Sequence, residues 1–414
     1  MEHIVYIIGA GLTKALESVA PIPLMWDFIS VMAGYIYEDS GAYDRTILNT
    51  LAGLENAGVF ENTTADSQTL ARRVLRSNRP TGPSLAREEA DAFRTIMQER
   101  TKENIEELLQ RSLEKVRDDL VDFTPHQFNF AINKLFSRIG WNLNLLPLQR
   151  FLTRQFELRD VRHTFISFNY DLVLDRCIQT QTKNDWDTKS GYGFVVNRFV
   201  TPESAAEHEK RLEKTCHFRP LQTTQLDPLY GSSGRVKILK PHGSLNWLIK
   251  FEENYRFLDA APILCLNRDS SITYYDRFKC EDLQITDHIQ EITTDLWSHA
   301  GLFLIPPTDA KSSGLGFLKN VRQQEWNAYT TADEIYVIGW SMPSTDKDQV
   351  EIIRRSMQER RKPLERVVAI NHKAPSKYYD EIATVFGVKR HHVFHHDAGF
   401  CQYVDDGNTA TSGV

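Results

Sequence analysis

Nothing in the chain approaches the ~18 consecutive apolar residues that a membrane-spanning helix requires, and the amino terminus shows no basic region leading into an apolar stretch and a cleavage site. Cysteine is scarce: Cys177, Cys216, Cys265, Cys280 and Cys401 are odd in number and scattered. That pattern fits reduced thiols better than a disulfide framework, and no pair has the CxxC spacing of a zinc site. A cytoplasmic location is the expectation. A surplus of basic residues is also missing, since 49 Lys and Arg face 55 Asp and Glu for a formal net charge of −6. Tight nucleic-acid binding needs excess Lys and Arg on one face, so direct sequence-specific binding of nucleic acid is not expected. Internal repeats and low-complexity tracts are absent too. What is present is 414 residues that are 41% hydrophobic, enough apolar surface for a full core and, at roughly 150 residues per domain, for two or three units.

The apolar residues come in short, nearly continuous runs: His3 to Ile8, His163 to Phe168, Val236 to Leu239, Leu302 to Ile305, Glu334 to Ile338 and Arg366 to Ile370. Such runs are expected of strands buried on both faces of a parallel sheet. Between several of them lie three- and four-residue apolar spacings, as in Leu315 to Thr331 and Asp346 to Arg361, which predict helices. Strands alternating with helices define an α/β protein with a doubly wound parallel sheet. The stretch 35–158 departs from this pattern. It is charged, lacks a convincing strand and carries the amphipathic segment Ser84 to Val121, with breaks at Asn78 to Ser84 and Thr124-Pro125 before another helical run, Gln127 to Arg138. The expected organisation is a sheet domain made of 1–34 and 159–404, a large helical insertion at 35–158, a second insertion of unassigned structure at 179–235, and a disordered tail at 405–414.

Five segments that close apolar runs carry the candidate chemistry. Gly9-Ala10-Gly11-Leu12-Thr13 follows the first run. Glycines there let backbone N–H groups approach a diphosphate at a helix start, although a tight turn without any ligand has the same spacing, and Lys14 stands where the third glycine of GxGxxG would be. Ser167-Phe168-Asn169-Tyr170-Asp171 follows the second run; its Asn169 suits a ribose hydroxyl or a water at a strand's carboxyl end, or else an ordinary turn or helix cap. Lys240-Pro241-His242-Gly243-Ser244 places a histidine between proline and glycine. An imidazole with an unperturbed pKa near 6.5 suits general-base work, while a lone histidine is commonly structural. Ile338-Gly339-Trp340-Ser341-Met342-Pro343, with Asp346 beyond it, and Ile370-Asn371-His372 close two later runs. Gly339 offers close packing and Asn371 hydrogen bonds to an adenosine moiety; each is equally readable as a plain loop.

Taken in order, GAGLT, SFNYD, KPHGS, IGWSMPSTD and AIN (369–371) resemble the sirtuin family, in particular its bacterial sirtuin-like NAD-hydrolase branch found in antiphage defence. The resemblance implies a Rossmann-like sheet, NAD as substrate, Asn169 orienting the reactive ribose or water, and His242 as catalytic base. It further implies that Gly9, Ala10, Gly11 and Thr13 contact the phosphates, that Gly339, Ser341 and Asn371 hold the adenosine half, and that Leu12 and Asp171 belong to the same NAD-binding set. The expected reaction releases nicotinamide and ADP-ribose without a metal. Deacylating sirtuins carry two CxxC pairs that this chain lacks, and where they have GIPDFR this chain reads Pro21 to Phe28 with Pro23 and Asp27 but no arginine. Protein deacylation or ADP-ribosyl transfer is therefore the second expectation, and a non-catalytic subunit binding NAD or ADP-ribose the third. The family also implies partners encoded nearby, a HerA-type hexameric ATPase or a short Argonaute protein; separately, the amphipathic insertion suits homo-oligomerisation, or else a helical subdomain packing over the site.

Two further signals are weaker. His391, His392, His395 and His396 form HHxxHH beside Asp397, but Val393-Phe394 reads as a strand along which alternate side chains face opposite sides, which argues against a shared metal. Arg354-Arg355 and Arg360-Arg361-Lys362 read as the solvated face of a helix.

Overall fold

In the computed structural model the described residues are those of the whole chain except 19–20, 25, 39–40, 78–81, 106, 109–110, 113–124, 141, 183–184, 187–189, 195, 197, 201–223, 226–233, 251–261, 266–271, 273–299, 305–315, 344–345, 408–410 and 413–414. The chain divides into two compact units. One comprises Met1–Glu17, Leu143–Ile305 and Ala310–Val414, and the other chiefly Ser18–Asn142. The boundaries thus fall at 17/18 and 142/143, where the sequence had suggested 34/35 and 158/159.

The first unit is built on six parallel strands: β1 (Glu2–Ile8), β2 (Val161–Ser167), β5 (Val236–Leu239), β9 (Glu334–Ile338), β10 (Arg366–Ile370) and β11 (Val393–His396). Across the sheet they run β11-β10-β9-β1-β2-β5, so by their own chain order they read 3-2-1-4-5-6 from the β5 edge. That is the Rossmann-like order, with its topological switch between β1 and β9. The expected doubly wound α/β architecture is the one observed. Every residue from Ile4 to Ile8 is buried, as a central strand covered on both faces must be. On one face Tyr6 stacks on Phe165 with ring centroids 4.3 Å apart and meets Phe151 edge-on at 5.9 Å. Its hydroxyl donates to Gln155 Oε1 at 2.9 Å, so the phenol is buried without losing its hydrogen bond. Phe151 and Gln155 belong to the helix Leu146–Phe156, whose packing on this strand places it in the sheet unit.

The helices expected from spacing form at Gly316–Thr331 and Lys347–Gln358. Two readings are corrected. The run near Leu302 becomes β8 (Ala300–Leu304), which pairs antiparallel with β6 (Gly243–Lys250) in a second, five-stranded sheet that also holds β3 (Arg198–Val200), β4 (Thr224–Gln225) and β7 (Ile263–Cys265). Apolarity reported its burial but not which sheet it joins. The end of the chain is not simply a disordered tail: a helix spans Phe400–Asp405, and Thr411–Ser412 pair antiparallel with Phe394 and His395. Much of the unassigned 179–235 region lies outside the described residues, although Val173–Thr182 forms a helix, and Arg198–Val200 and Thr224–Gln225 form two short strands.

The second unit is helical, as expected. It contains Phe28–Gly34, Arg45–Asn56, Ala65–Ser77, Arg87–Gln98 and Pro125–Ile139. The amphipathic segment read as one stretch from Ser84 breaks after Gln98, and 113–124 lie outside the described residues. Asp44 caps the helix Arg45–Asn56 by accepting from Ile47 N at 3.1 Å, the ordinary use of Asp at that position. It is fully buried, and its charge is answered by Lys134 at 3.3 Å and Arg138 at 3.7 Å.

Candidate functional site

All the candidate residues except Pro23 and Asp27 belong to the sheet unit, and they stand at the carboxyl ends of its strands. In open α/β sheets that edge, at the switch point, is where ligands bind. The switch is closed by backbone alone. Gly9 N donates to Ile338 O at 3.0 Å, Gly11 N to Gly339 O at 2.9 Å, and Gly339 N to Ile370 O at 3.0 Å. A Cβ on Gly9 would lie 2.5 Å from Gly339 O, and one on Gly11 would lie 2.8 Å from Gly339 Cα. Gly339 itself has φ +63°, and a Cβ there would lie 2.3 Å from Leu12 N. Glycine is thus required at 9, 11 and 339 because two segments of this chain touch there, and the N–H groups of Gly9 and Gly11 are spent on that contact.

From the next strand tip, Asn169 Nδ2 donates to Gly9 O and to Thr13 Oγ1, both at 3.1 Å. Its Oδ1 has no protein partner among the described residues. Thr13 in turn donates to Asp171 Oδ2 at 2.9 Å, and Asp171 Oδ1 accepts from Val173 N at 3.0 Å. Thr13 and Asp171 are buried, so their polar atoms brace the β1 and β2 tips against each other. Burial pushes the Asp171 carboxyl up, against the pull of Lys240.

The β5 tip is tied to the β2 tip by a buried cation. Lys240, with no exposed surface, donates to Asp171 O at 2.6 Å and meets Asp175 Oδ2 at 3.1 Å. Asp175 also accepts from the Tyr192 hydroxyl at 2.8 Å. A charge this deep persists only when paired. Two residues on, the imidazole of His242 is 3% exposed and lies against Phe168, the neighbour of Asn169, with ring centroids 5.3 Å apart. Phe168 also packs on Trp340 at 5.2 Å. His242 Nε2 faces Asp346 Oδ1 at 3.8 Å, and Trp340 Nε1 donates to Asp346 Oδ2 at 2.9 Å. Gly243 has φ +88°, and a Cβ there would lie 2.2 Å from Phe303 O, so the turn after His242 is fixed by the second sheet.

The structure therefore brings Gly9, Gly11, Leu12, Thr13, Asn169, Asp171 and Gly339 into one bonded or touching cluster, with His242 joined to it through Phe168. Ala10 and Ser341 are exposed and Asn371 half-buried. Ser341 and Asn371 stand beyond the β9 and β10 tips and make no bond to Asn169 or His242. Asn371 N donates to His396 O at 3.1 Å, and its Oδ1 accepts from His372 N at 2.9 Å. The positions around the switch that keep some exposure are Ala10, Gly11, Asn169, Gly339, Ser341 and Asn371. Lys240, Asp175, Phe168, Trp340 and Asp346 were not marked by sequence reasoning as site residues. Asp346 had the best signal, as the acid that closes IGWSMPSTD.

Among the described residues no group of three or more His, Cys, Asp or Glu could hold a metal. The HHxxHH residues have separate partners: His396 Nε2 lies 3.1 Å from Asp406 Oδ2, while His395 packs on the Tyr379 ring at 4.7 Å.

Fold and site together define a doubly wound α/β protein with a cluster of polar side chains at its topological switch. No family model and no curated protein matches the chain.

Proposed function

We propose that this chain is an NAD glycohydrolase that cleaves the bond between nicotinamide and ribose and gives nicotinamide and ADP-ribose, serving as a cell-depleting effector in antiphage defence. The observation that carries the reading is the join between two strand tips: the Asn169 carboxamide is held by Gly9 and Thr13 with its Oδ1 left over, and the His242 imidazole packs on the adjacent Phe168.

The chemistry asks little more than this. Nicotinamide leaves as a neutral molecule from an already cationic ring, so the second carboxyl group that most glycosidases use to protonate a leaving oxygen is unnecessary. Water adds to the ribose carbon as the C–N bond breaks, and the proton lost from that water goes to His242. Asn169 Oδ1 accepts from a ribose hydroxyl or from the water, holding the reacting atoms within hydrogen-bond reach of about 2.6–3.2 Å. The glycines of the switch do not present free N–H groups at Gly9 and Gly11, so in this reading the phosphates lie beside the seam, against Ala10 and the loop that follows Gly339. A homo-oligomer, and activation by a HerA-type ATPase or short Argonaute partner, belong to the same reading.

Purified chain, alone and with such a partner, is given NAD and the released nicotinamide is measured. His242→Ala is expected to lower the rate by about 10²–10⁴-fold, the ordinary contribution of a general base, without shifting thermal unfolding by more than a few degrees. A folded His242→Ala protein with wild-type turnover overturns the assignment. Continued NAD loss in the absence of any acceptor protein separates hydrolysis from protein modification.

A further inference from the structure

We infer that Asp346 is the positioning carboxylate of this centre: it faces Nε2 of His242 and holds the imidazole that accepts a proton from water. The inference rests on the hydrolase reading for its catalytic consequence, and on geometry alone for the pairing.

Four observations support it. Asp346 stands at the N-cap of the helix Lys347–Gln358 yet makes no side-chain cap bond. An aspartate there ordinarily accepts from the first turn and contributes about 1 kcal/mol of helix stability, a contribution forgone here. Its carboxylate is instead turned inward, where it is 3% exposed, accepts from Trp340 Nε1 at 2.9 Å and lies 3.8 Å from His242 Nε2. The imidazole is held on its other side by Phe168, which also packs on Trp340, so one aromatic cluster fixes both members of the pair. Finally, the two residues come from different halves of the sheet, His242 after β5 and Asp346 after β9. The fold has to close for them to meet.

The separation of 3.8 Å exceeds a hydrogen bond. It is a charge contact, and it strengthens when the imidazole becomes imidazolium, which is the moment catalysis needs it. The remaining charged groups in the neighbourhood leave that role to Asp346. Glu325 is pushed up to about 8, by burial first, with Arg322 opposing and Asp348 and Asp346 adding, so it is neutral at pH 7. Asp348 is within 3.9 Å of Arg322. On the histidine's own segment, Lys240 is turned to Asp175.

The test uses the full chain under conditions where wild type releases nicotinamide. Asp346→Asn is expected to lower kcat by about 10²-fold or more while KM for NAD stays within about twofold, the pattern of an interaction made chiefly in the transition state. Asp346→Glu, which keeps the charge, should recover part of the loss. In parallel, NMR of histidine-labelled protein, with the His242 resonance assigned by its loss in His242→Gln, should show the imidazole protonating about one pH unit lower in Asp346→Asn than in wild type. An unchanged kcat, or an unchanged His242 titration, overturns the pairing. If Asp346→Asn does not fold, Trp340→Phe keeps the carboxylate and removes only its indole donor. It should lower kcat by about tenfold, and unchanged turnover in it is equally decisive against the pairing. A wild-type chain that never releases nicotinamide overturns the hydrolase reading alone, because the titration still decides whether the two side chains are coupled.

Discussion

At the amino ends of the parallel strands, His3 and His163 sit deep in the sheet with neutral partners. His3 Nδ1 lies 2.9 Å from Thr331 Oγ1 and its Nε2 2.9 Å from Thr164 Oγ1, and His163 Nδ1 lies 3.0 Å from the Tyr6 hydroxyl. Burial, aided by Arg162 on His3 and Arg235 on His163, pushes them down to about 3 and about 4. At the carboxyl tips a third buried histidine, His242, faces a carboxylate instead. Burial is common to all three histidines and does not tell them apart. The ring's partner does: the rings of His3 and His163 meet hydroxyls, and that of His242 meets a carboxylate.

The contrast is most easily broken at the tips. Lys240→Met leaves Asp175 with the Tyr192 hydroxyl but no cation, and breaking a buried ion pair by removing one member costs about 3–5 kcal/mol. Denaturant unfolding should show a loss of that size, and a loss below about 1 kcal/mol would mean that the tips are not held by charge. The amino ends are sharpened by pH. Because His3 binds its proton far less readily in the fold than in the unfolded chain, its stabilising contribution is fully present above about pH 6.5 and is lost as pH falls toward the folded values. By pH 4 the loss from His3 alone is roughly 3 kcal/mol. His3→Gln should flatten the acid side of the stability profile between pH 6.5 and 4; an unaltered profile would show that these histidines are not the groups responsible. The smallest expected effect is at the seam between the halves, where Gly339→Ala puts a Cβ 2.3 Å from Leu12 N at φ +63°. Overpacking and left-handed backbone together cost about 2–3 kcal/mol. A neutral result in thermal unfolding would show that the seam can open.

Five of the six parallel strands were legible because strands buried on both faces read as nearly continuous apolar runs, and the candidate residues were legible as the polar groups that end those runs; β11, only partly buried, showed itself just as the pair Val393-Phe394. Three things were not. The β6 strand, Gly243–Lys250, begins directly on a glycine after His242, so no gap separates it from the motif that precedes it. Thr411–Ser412 join the sheet edge through backbone bonds and leave no side-chain pattern to read. The third is the role of the paired glycines. Their spacing announced a close approach but not what approaches: it was read as a phosphate, and at Gly9 and Gly11 the neighbour is Gly339. Asp346 lay in plain view within a motif, yet its use depends on Trp340 and on a histidine carried by a strand on the far side of β1, which local spacing does not encode.

A seam made of main chain against main chain admits no editing by side-chain replacement. Ala10, Ser341 and Asn371 only border it, whereas a methyl placed on the seam itself pries the sheet halves apart, and with them the histidine of one half from the acid of the other. The room for change thus lies along the borders of the join and not within it.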